Sequence, residues 1–166
     1  MSTDAASEDL LDQLIEDWRR ERPELDASAM GVVGRLLQLG RRLEARAGLA
    51  IKPFGLPYSD LDVLATLRRR GEPYQMTPTE LRQSILLSSG AMTALLDRLE
   101  AKRLLIRMPD PADRRVRSVA LTPAGIKLID RAIEVRFEEA HSALAGLEPA
   151  EREQLADLLR KLVLTL

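Results

Sequence analysis

The sequence predicts a mainly α-helical protein with one small β-hairpin. Apolar residues make up 45% of the 166-residue chain but aromatic residues only 3%, so the core is expected to be aliphatic. These apolar residues recur at helical spacing along most of the chain. The exception is residues 104–121, where two short segments rich in apolar residues flank the turn sequence Asp110-Pro111-Ala112-Asp113.

Two helices are expected before residue 52. Ser7 is a suitable N-cap for the first helix, and Pro23 ends it. The apolar face of this helix comprises Leu10, Leu11, Leu14, Ile15 and Trp18. The second helix begins after Asp26-Ala27-Ser28, and the segment KPFGLP at residues 52–57 ends it. Its apolar stripe comprises Met30, Val33, Leu36, Leu37, Leu39 (or Gly40) and Leu43.

A helix-turn-helix is expected in the middle of the chain. The segment YSDLDVLATLRRR forms a third helix, which GEPYQ ends. Thr77-Pro78-Thr79-Glu80 is a capping box that opens a short helix ending near Leu86. Ser88 is an N-cap for the next helix, Ser88–Lys102, whose core face is Met92, Leu95, Leu96 and Leu99. Two short helices joined by a three- or four-residue turn are typical of this motif.

The hairpin and two further helices complete the chain. LLIRMP and VRSVAL are the predicted strands, and Thr122-Pro123 caps a long helix through about Leu144. A final helix begins near Glu148-Pro149. The long helix carries Ile126, Ile129, Ile133, Phe137, Ala140 and Leu144 on one face, and the final one carries Leu155, Leu158, Leu159, Leu162 and Val163. The order predicts a winged helix-turn-helix at residues 56–122, between helical segments at 1–55 and 123–166.

The charge is unevenly distributed. The chain has a net charge of −1, yet residues 1–30 are acidic, whereas residues 31–70 and 97–117 are basic. A nearly neutral protein can therefore present a local basic face. The absence of cysteine excludes disulfides and thiolate chemistry, and the single histidine, His141, makes a metal site unexpected. No secretory or membrane-spanning segment is visible, so a cytoplasmic protein without cofactor is expected.

The basic hairpin tip indicates nucleic-acid binding. A helix-turn-helix places its second helix in the major groove of DNA, and a narrow minor groove attracts arginine. Small residues at the start of that helix allow close approach to a phosphate. The expected DNA-contacting residues are Thr77, Pro78, Ser88, Ser89, Gly90, Thr93, Arg98, Arg114, Arg115 and Arg117, with Asp110 and Asp113 shaping the wing turn.

Residues 55–125 resemble the MarR-type winged helix-turn-helix regulators. The matching segments are LDVLATL, TPTEL, SSGAMTALLDRLEAKRLLIR and DPADRRVRSVALTPAG, in which Asp113, Arg115 and Leu-Thr-x-x-Gly match the wing signature. The resemblance implies an intertwined homodimer, built from the N- and C-terminal helices, that represses at a pseudo-palindromic operator. Arg103 stands where the family commonly has glycine, so a left-handed backbone is expected there.

A small-molecule ligand is also implied by the resemblance. The first helix and the segment around PYQMTPTEL resemble the urate-responsive branch, which pairs a first-helix tryptophan with an aspartate; Trp18 and Asp62 match these two. Leu95 stands where that branch has an arginine, so Arg98 or Arg107 would have to replace it. A phenolic or anionic ligand near Trp18, Asp62 and Arg107 is therefore expected. The alternatives are that Trp18 is a packing residue and Asp62 a surface carboxylate.

Two other classes of function are alternatives for this sequence. An enzyme is not expected because the sequence has no nucleophile elbow, phosphate-binding loop or dinucleotide fingerprint. A helical protein-interaction module without sequence-specific DNA binding is the remaining alternative. Salt-dependent DNA binding would separate that alternative from a regulator.

Overall fold

The computed structural model describes residues 8–85, 89–109 and 117–166. The chain divides into two compact units, Met1–Ala45 and Arg46–Leu166. The described elements, in chain order, are α1 (Leu10–Glu21), α2 (Ser28–Ile51), a short 3-10 helix (Lys52–Phe54), α3 (Tyr58–Arg69), β1 (Gln75–Met76), α4 (Pro78–Ser84), α5 (Ser89–Ala101), β2 (Leu105–Pro109), β3 (Arg117–Leu121), α6 (Pro123–Ala143) and α7 (Pro149–Thr165). The predicted class, mainly helical with a small antiparallel wing, is confirmed.

Asp9, not Ser7, is the N-cap of α1. The Asp9 carboxylate accepts hydrogen bonds from the backbone N–H groups of Leu11 and Asp12, and the Asp12 side chain accepts from the Asp9 N–H. The prediction of Ser7 was wrong because Asp9 satisfies the same orphan donors two residues later. Ser7 lies outside the described residues. Within this unit Leu11 and Ile15 are buried, whereas Trp18 is 49% exposed.

The core of the second unit is built from the helix-turn-helix and the helices on either side of it. All four predicted core residues of α5 are buried, namely Met92, Leu95, Leu96 and Leu99. They pack in one cluster with α3 residues such as Leu64 and with Ile129 of α6. Burial of aliphatic side chains at helical spacing fixes which face of α5 points outward.

The wing is a three-stranded antiparallel sheet in the order β1-β3-β2. β2 and β3 are the two predicted strands, and their register pairs Leu105 with Leu121 and Pro109 with Arg117. The third strand, β1, pairs Gln75 with Ala120 and was not predicted from the sequence. A segment of two residues is too short to show an alternating pattern. The strand is therefore recognised only by its pairing with β3.

Two capping predictions and one backbone prediction are confirmed. Thr77 caps α4 in a reciprocal box with Glu80, and Thr122 caps α6 by accepting from the Gly125 N–H at 3.0 Å. The short helix ends at Ser84, two residues before the expected Leu86. Arg103 has a φ of 58°, which is the left-handed conformation expected where α5 ends.

The C-terminal helices leave apolar residues uncovered within the chain. No residue of α7 is buried, and Leu158 and Val163 are 54% and 74% exposed. Phe137 of α6 is 61% exposed. Within the three described stretches, no helix combines the length and the apolarity needed to cross a bilayer.

Candidate nucleic-acid interface

The exposed face of α5 carries two short side chains, Thr93 and Ala94, followed by charged ones. Because Met92, Leu95, Leu96 and Leu99 are buried, the intervening positions point outward, and Thr93, Ala94, Asp97 and Arg98 are exposed. Ser89 and Gly90 are the first two residues of this helix, whereas the predicted cap Ser88 lies outside the described residues. Side chains as short as those of Thr93 and Ala94 allow a helix to approach the edges of DNA bases closely.

The start of α4 lies against this helix. Thr77 uses its side chain for capping: its hydroxyl oxygen accepts from the Glu80 N–H at 3.2 Å. Pro78 lines a shallow depression of about 260 Å³ together with Thr93 of α5 and Arg107 of β2. The structure therefore brings together three residues that the sequence assigned to contacts with DNA or ligand.

The wing carries one described arginine of the predicted set. Arg117 begins β3 opposite Pro109 of β2, and it is exposed. Asp110, Asp113, Arg114 and Arg115 lie outside the described residues. Their assignment to the wing stays a prediction from the sequence.

Arg107 forms ion pairs with two acidic residues of α5. Its guanidinium donates to Asp97 Oδ1 and to Glu100 Oε2, both at 2.6 Å, and its backbone N–H donates to Glu100 Oε1 at 3.2 Å. The hydrogen bond from Arg107 to Asp97 raises the pKa of this arginine above its ordinary value. Carboxylates next to DNA phosphates repel them. Pairing with Arg107 therefore offsets one of these two negative charges, and both carboxylates hold the arginine side chain at this end of α5.

Arg98 is paired with an aspartate that the sequence analysis did not select. Its Nε donates to both carboxylate oxygens of Asp60 at 3.1 Å, and its Nη2 makes a further contact with Oδ1. Lys102 Nζ lies 3.6 Å from Oδ2 of the same carboxylate. Asp60 is completely buried, and its hydrogen bond raises the pKa of Arg98. The sequence does contain a signal, because Asp60, Leu64 and Leu67 share one helical stripe.

Asp62 lies in a separate cavity between α3 and α6. This cavity has a volume of about 540 Å³ and is lined by Tyr58, Leu61, Asp62, Ala65, Arg68, Arg69, Ile129, Asp130, Ile133, Arg136, Phe137 and Ala140. Partial burial raises the pKa of Asp62, and the nearby charges of Arg69 and Arg136 oppose that rise. The cavity thus combines cations, apolar walls and one poorly solvated carboxylate. Arg107 belongs to the wing and is not among the residues that line this cavity. Trp18 belongs to the first unit.

The MarR family model matches residues 54–116. The transcriptional regulator PecS of Dickeya dadantii is 34% identical over 146 residues, which cover 88% of each chain.

Solved structures show the same fold. BpsR of Bordetella bronchiseptica, whose DNA binding is regulated by 6-hydroxynicotinic acid, is 31% identical, with a TM-score of 0.70 over 79% of this chain and 92% of its own. MarR of Escherichia coli bound to operator DNA is 24% identical, with a TM-score of 0.71 over 87% of this chain and 96% of its own. The family pattern spans the helix-turn-helix and the strand that leads into the wing. The chain therefore belongs to the MarR family and is a DNA-binding transcriptional regulator, not an enzyme.

Proposed function

We propose that this regulator is a homodimeric repressor of a pseudo-palindromic operator and that a small aromatic carboxylate releases it from DNA. The observation that carries the DNA half of the proposal is the outward face of α5, where Thr93 and Ala94 are exposed beside an Asp97 that is paired with Arg107. In this arrangement α5 is the recognition helix in the major groove, and the wing with Arg117 follows the adjacent backbone and minor groove.

The direct test is selection of DNA from a random duplex pool. We expect enrichment of an inverted repeat whose half-sites lie about one helical turn apart. Affinity for that duplex should fall steeply as salt rises, because bound protein displaces counterions. Failure to enrich any duplex at low salt would refute the proposal and favour a helical protein-interaction module.

We expect Arg117→Ala to weaken binding of the selected duplex about tenfold and to reduce the slope of log K against log salt by about 0.9 per lost contact. The reason is that this exposed side chain supplies a cation at the edge of the wing. Titrations at several salt concentrations measure both quantities. The same change at Arg115 is expected to act in the same way.

A matched control for this prediction is Arg160→Ala. Arg160 forms an exposed i,i+3 ion pair with Asp157 on α7, and its removal changes the net charge by the same amount. Equal effects of the Arg117 and Arg160 substitutions would show that only net charge matters and would contradict a contact at the wing.

The cavity around Asp62 supports the ligand half of the proposal. Arg69 and Arg136 supply positive charge, and Tyr58 and Phe137 supply flat apolar walls, which together suit an aromatic carboxylate. Its volume of about 540 Å³ is in the range of small-molecule sites. The regulation of the relative BpsR by 6-hydroxynicotinic acid is consistent with that class of ligand. Such a ligand releases DNA only if it binds the DNA-incompetent arrangement more tightly.

We expect Asp62→Asn to bind 6-hydroxynicotinate and salicylate about three- to tenfold more tightly than the wild type at pH 7, because the substitution removes a like charge from the cavity. Burial raises the pKa of Asp62 above its ordinary value, so this carboxylate takes up a proton at a higher pH than a free aspartate does. Lowering the pH from 7 to 5 should therefore strengthen wild-type binding more than binding by the Asn variant. Calorimetric titration measures both effects.

Asp157→Asn, at an exposed carboxylate on α7, is the control for that experiment. A panel of urate, salicylate and 6-hydroxynicotinate with tryptophan fluorescence tests whether Trp18 takes part. If none of the three binds or lowers DNA affinity, the ligand half of the proposal is wrong and the DNA half is unaffected.

A further inference from the structure

Among the described residues of the second unit, Asp60 is the acidic residue whose side chain is completely buried. It lies in the first turn of α3, and Arg98 and Lys102 reach it from α5 and the residue that follows α5. Lys102 Nζ also donates to the backbone oxygen of Gly55 at 3.0 Å. The C-terminal end of α5 is therefore tied to the start of α3 and to the loop before it.

A contribution to folding stability does not by itself explain this buried ion pair. Desolvating a carboxylate costs free energy that a single ion pair often fails to recover, and apolar replacements of buried pairs are frequently neutral or stabilising. Leu64 and Leu67 fill the same stripe of α3, so a leucine at position 60 would extend an apolar surface. A buried charge here instead imposes one geometry, because only one placement of α5 satisfies the carboxylate.

The same pairing also removes two cations from the DNA-facing helix. The side chains of Arg98 and Lys102 are 42% and 38% exposed, so both could reach toward a phosphate if Asp60 did not hold them. Cations that bind any phosphate strengthen binding to all sequences and lower the preference for one of them.

We propose that Asp60 is a positioning residue for DNA recognition: its carboxylate fixes the orientation of α5 and holds Arg98 and Lys102 away from the phosphates. The proposal rests on the DNA-binding function above. It assigns Arg98 to the support of the recognition helix, whereas the sequence assigned it to a direct contact. Sequence preference, rather than overall affinity, is then the property that Asp60 maintains.

The test compares wild-type and Asp60→Asn proteins on two duplexes, the one selected from the random pool and a scrambled duplex of the same length. We expect affinity for the selected duplex to fall about tenfold or more, because the helix loses its fixed placement. We expect affinity for the scrambled duplex to hold or rise, with a steeper salt dependence, because two cations are freed. A purely structural role would weaken binding to both duplexes and would not steepen the salt slope.

Asp17→Asn is the matched control, since it changes the net charge equally by breaking an exposed ion pair with Arg20 on α1. It should leave the preference for the selected duplex unchanged. An Asp60→Asn protein that is folded by circular dichroism but keeps the wild-type ratio of the two affinities would overturn the proposal. Proportional loss on both duplexes would overturn it as well.

If the Asp60→Asn protein does not fold, Lys102→Gln tests the same proposal. Because Lys102 is held by Asp60 and Gly55, we expect its loss to lower the preference two- to fivefold and to leave the salt slope unchanged. A slope that falls by about 0.9, with both duplexes affected equally, would identify Lys102 as a phosphate contact and overturn the proposal. Failure of the wild type to enrich any duplex would refute the proposed function instead, so the two failures are distinguishable.

Discussion

Replacing Gly125 with alanine is expected to lower the free energy of unfolding by about 3 kcal/mol or more. A Cβ at this position would lie 2.0 Å from the backbone oxygen of Leu104. That oxygen already accepts the Thr122 N–H at 3.1 Å, so it cannot move aside without breaking the junction between β3 and α6. No side-chain rotation relieves the clash, because both groups belong to the backbone.

Thermal and urea unfolding followed by circular dichroism measure this effect. Gly146→Ala is the control, because a Cβ there has no neighbour within 4 Å, and its stability should stay within about 0.5 kcal/mol of the wild type. A Gly125→Ala protein as stable as that control would show that the turn relaxes, and the close approach would then not explain this glycine.

This junction gives a physical reason for the Leu-Thr-x-x-Gly segment. Thr122 caps α6 through its hydroxyl oxygen and donates to the Arg103 oxygen at 2.8 Å, while Gly125 allows the first turn of α6 to lie on Leu104. One short segment therefore joins the end of α5, the wing and the long helix. The placement of α5 relative to the wing depends on this segment.

The sequence predicted the local structure of the second unit well, because the signals there are short-range. Thr77 with Glu80, and Thr122 with Pro123, are capping patterns that act within one helical turn. The left-handed Arg103 follows from the same kind of local rule. Helical periodicity alone placed Met92 and Leu99 in the core.

The features that were missed depend on contacts distant in sequence. β1 exists because Gln75 and Met76 pair with β3, which is more than 40 residues later. Asp60 is buried because Arg98 reaches it from α5, and an acid in an apolar stripe is stable only with such a partner. The cavity around Asp62 likewise needs α6 beside α3, which no local pattern specifies.

The number of basic residues in a sequence segment also did not predict how much positive charge that segment presents to DNA. The basic stretch 97–117 includes Arg98, Lys102 and Arg107, yet all three are paired with acids in the structure. The positive charge available to DNA from the described part of this stretch is therefore smaller than the count suggests. For that reason we expect the substitution of Arg117, which is exposed, to have a clear effect on DNA binding.

The exposed apolar stripe of α7 leads to the prediction with the largest effect on DNA binding. Leu155, Leu158 and Leu162 lie on one helical face and are 37–54% exposed within the chain. An uncovered row of leucines favours association, and a two-fold dimer holds two recognition helices for two half-sites. Linking two binding modules in this way raises affinity by about 100-fold or more over one module.

We therefore expect the double variant Leu158→Glu with Leu162→Glu to be a folded monomer of 18.5 kDa, and we expect the wild type to sediment at twice that mass. Two glutamates on the apolar stripe would each have to lose hydration in the dimer, which costs more than the leucine contacts return. Affinity for the selected duplex should fall about 100-fold or more. Leu164→Glu, which adds one glutamate, is the control, because Leu164 is 80% exposed and lies about 180–200° around the helix from Leu155 and Leu162. Analytical ultracentrifugation and duplex titration measure the two effects. A double variant that stays dimeric, or a monomer that binds the duplex as tightly as the wild type, would show that α7 does not form the interface on which operator binding depends.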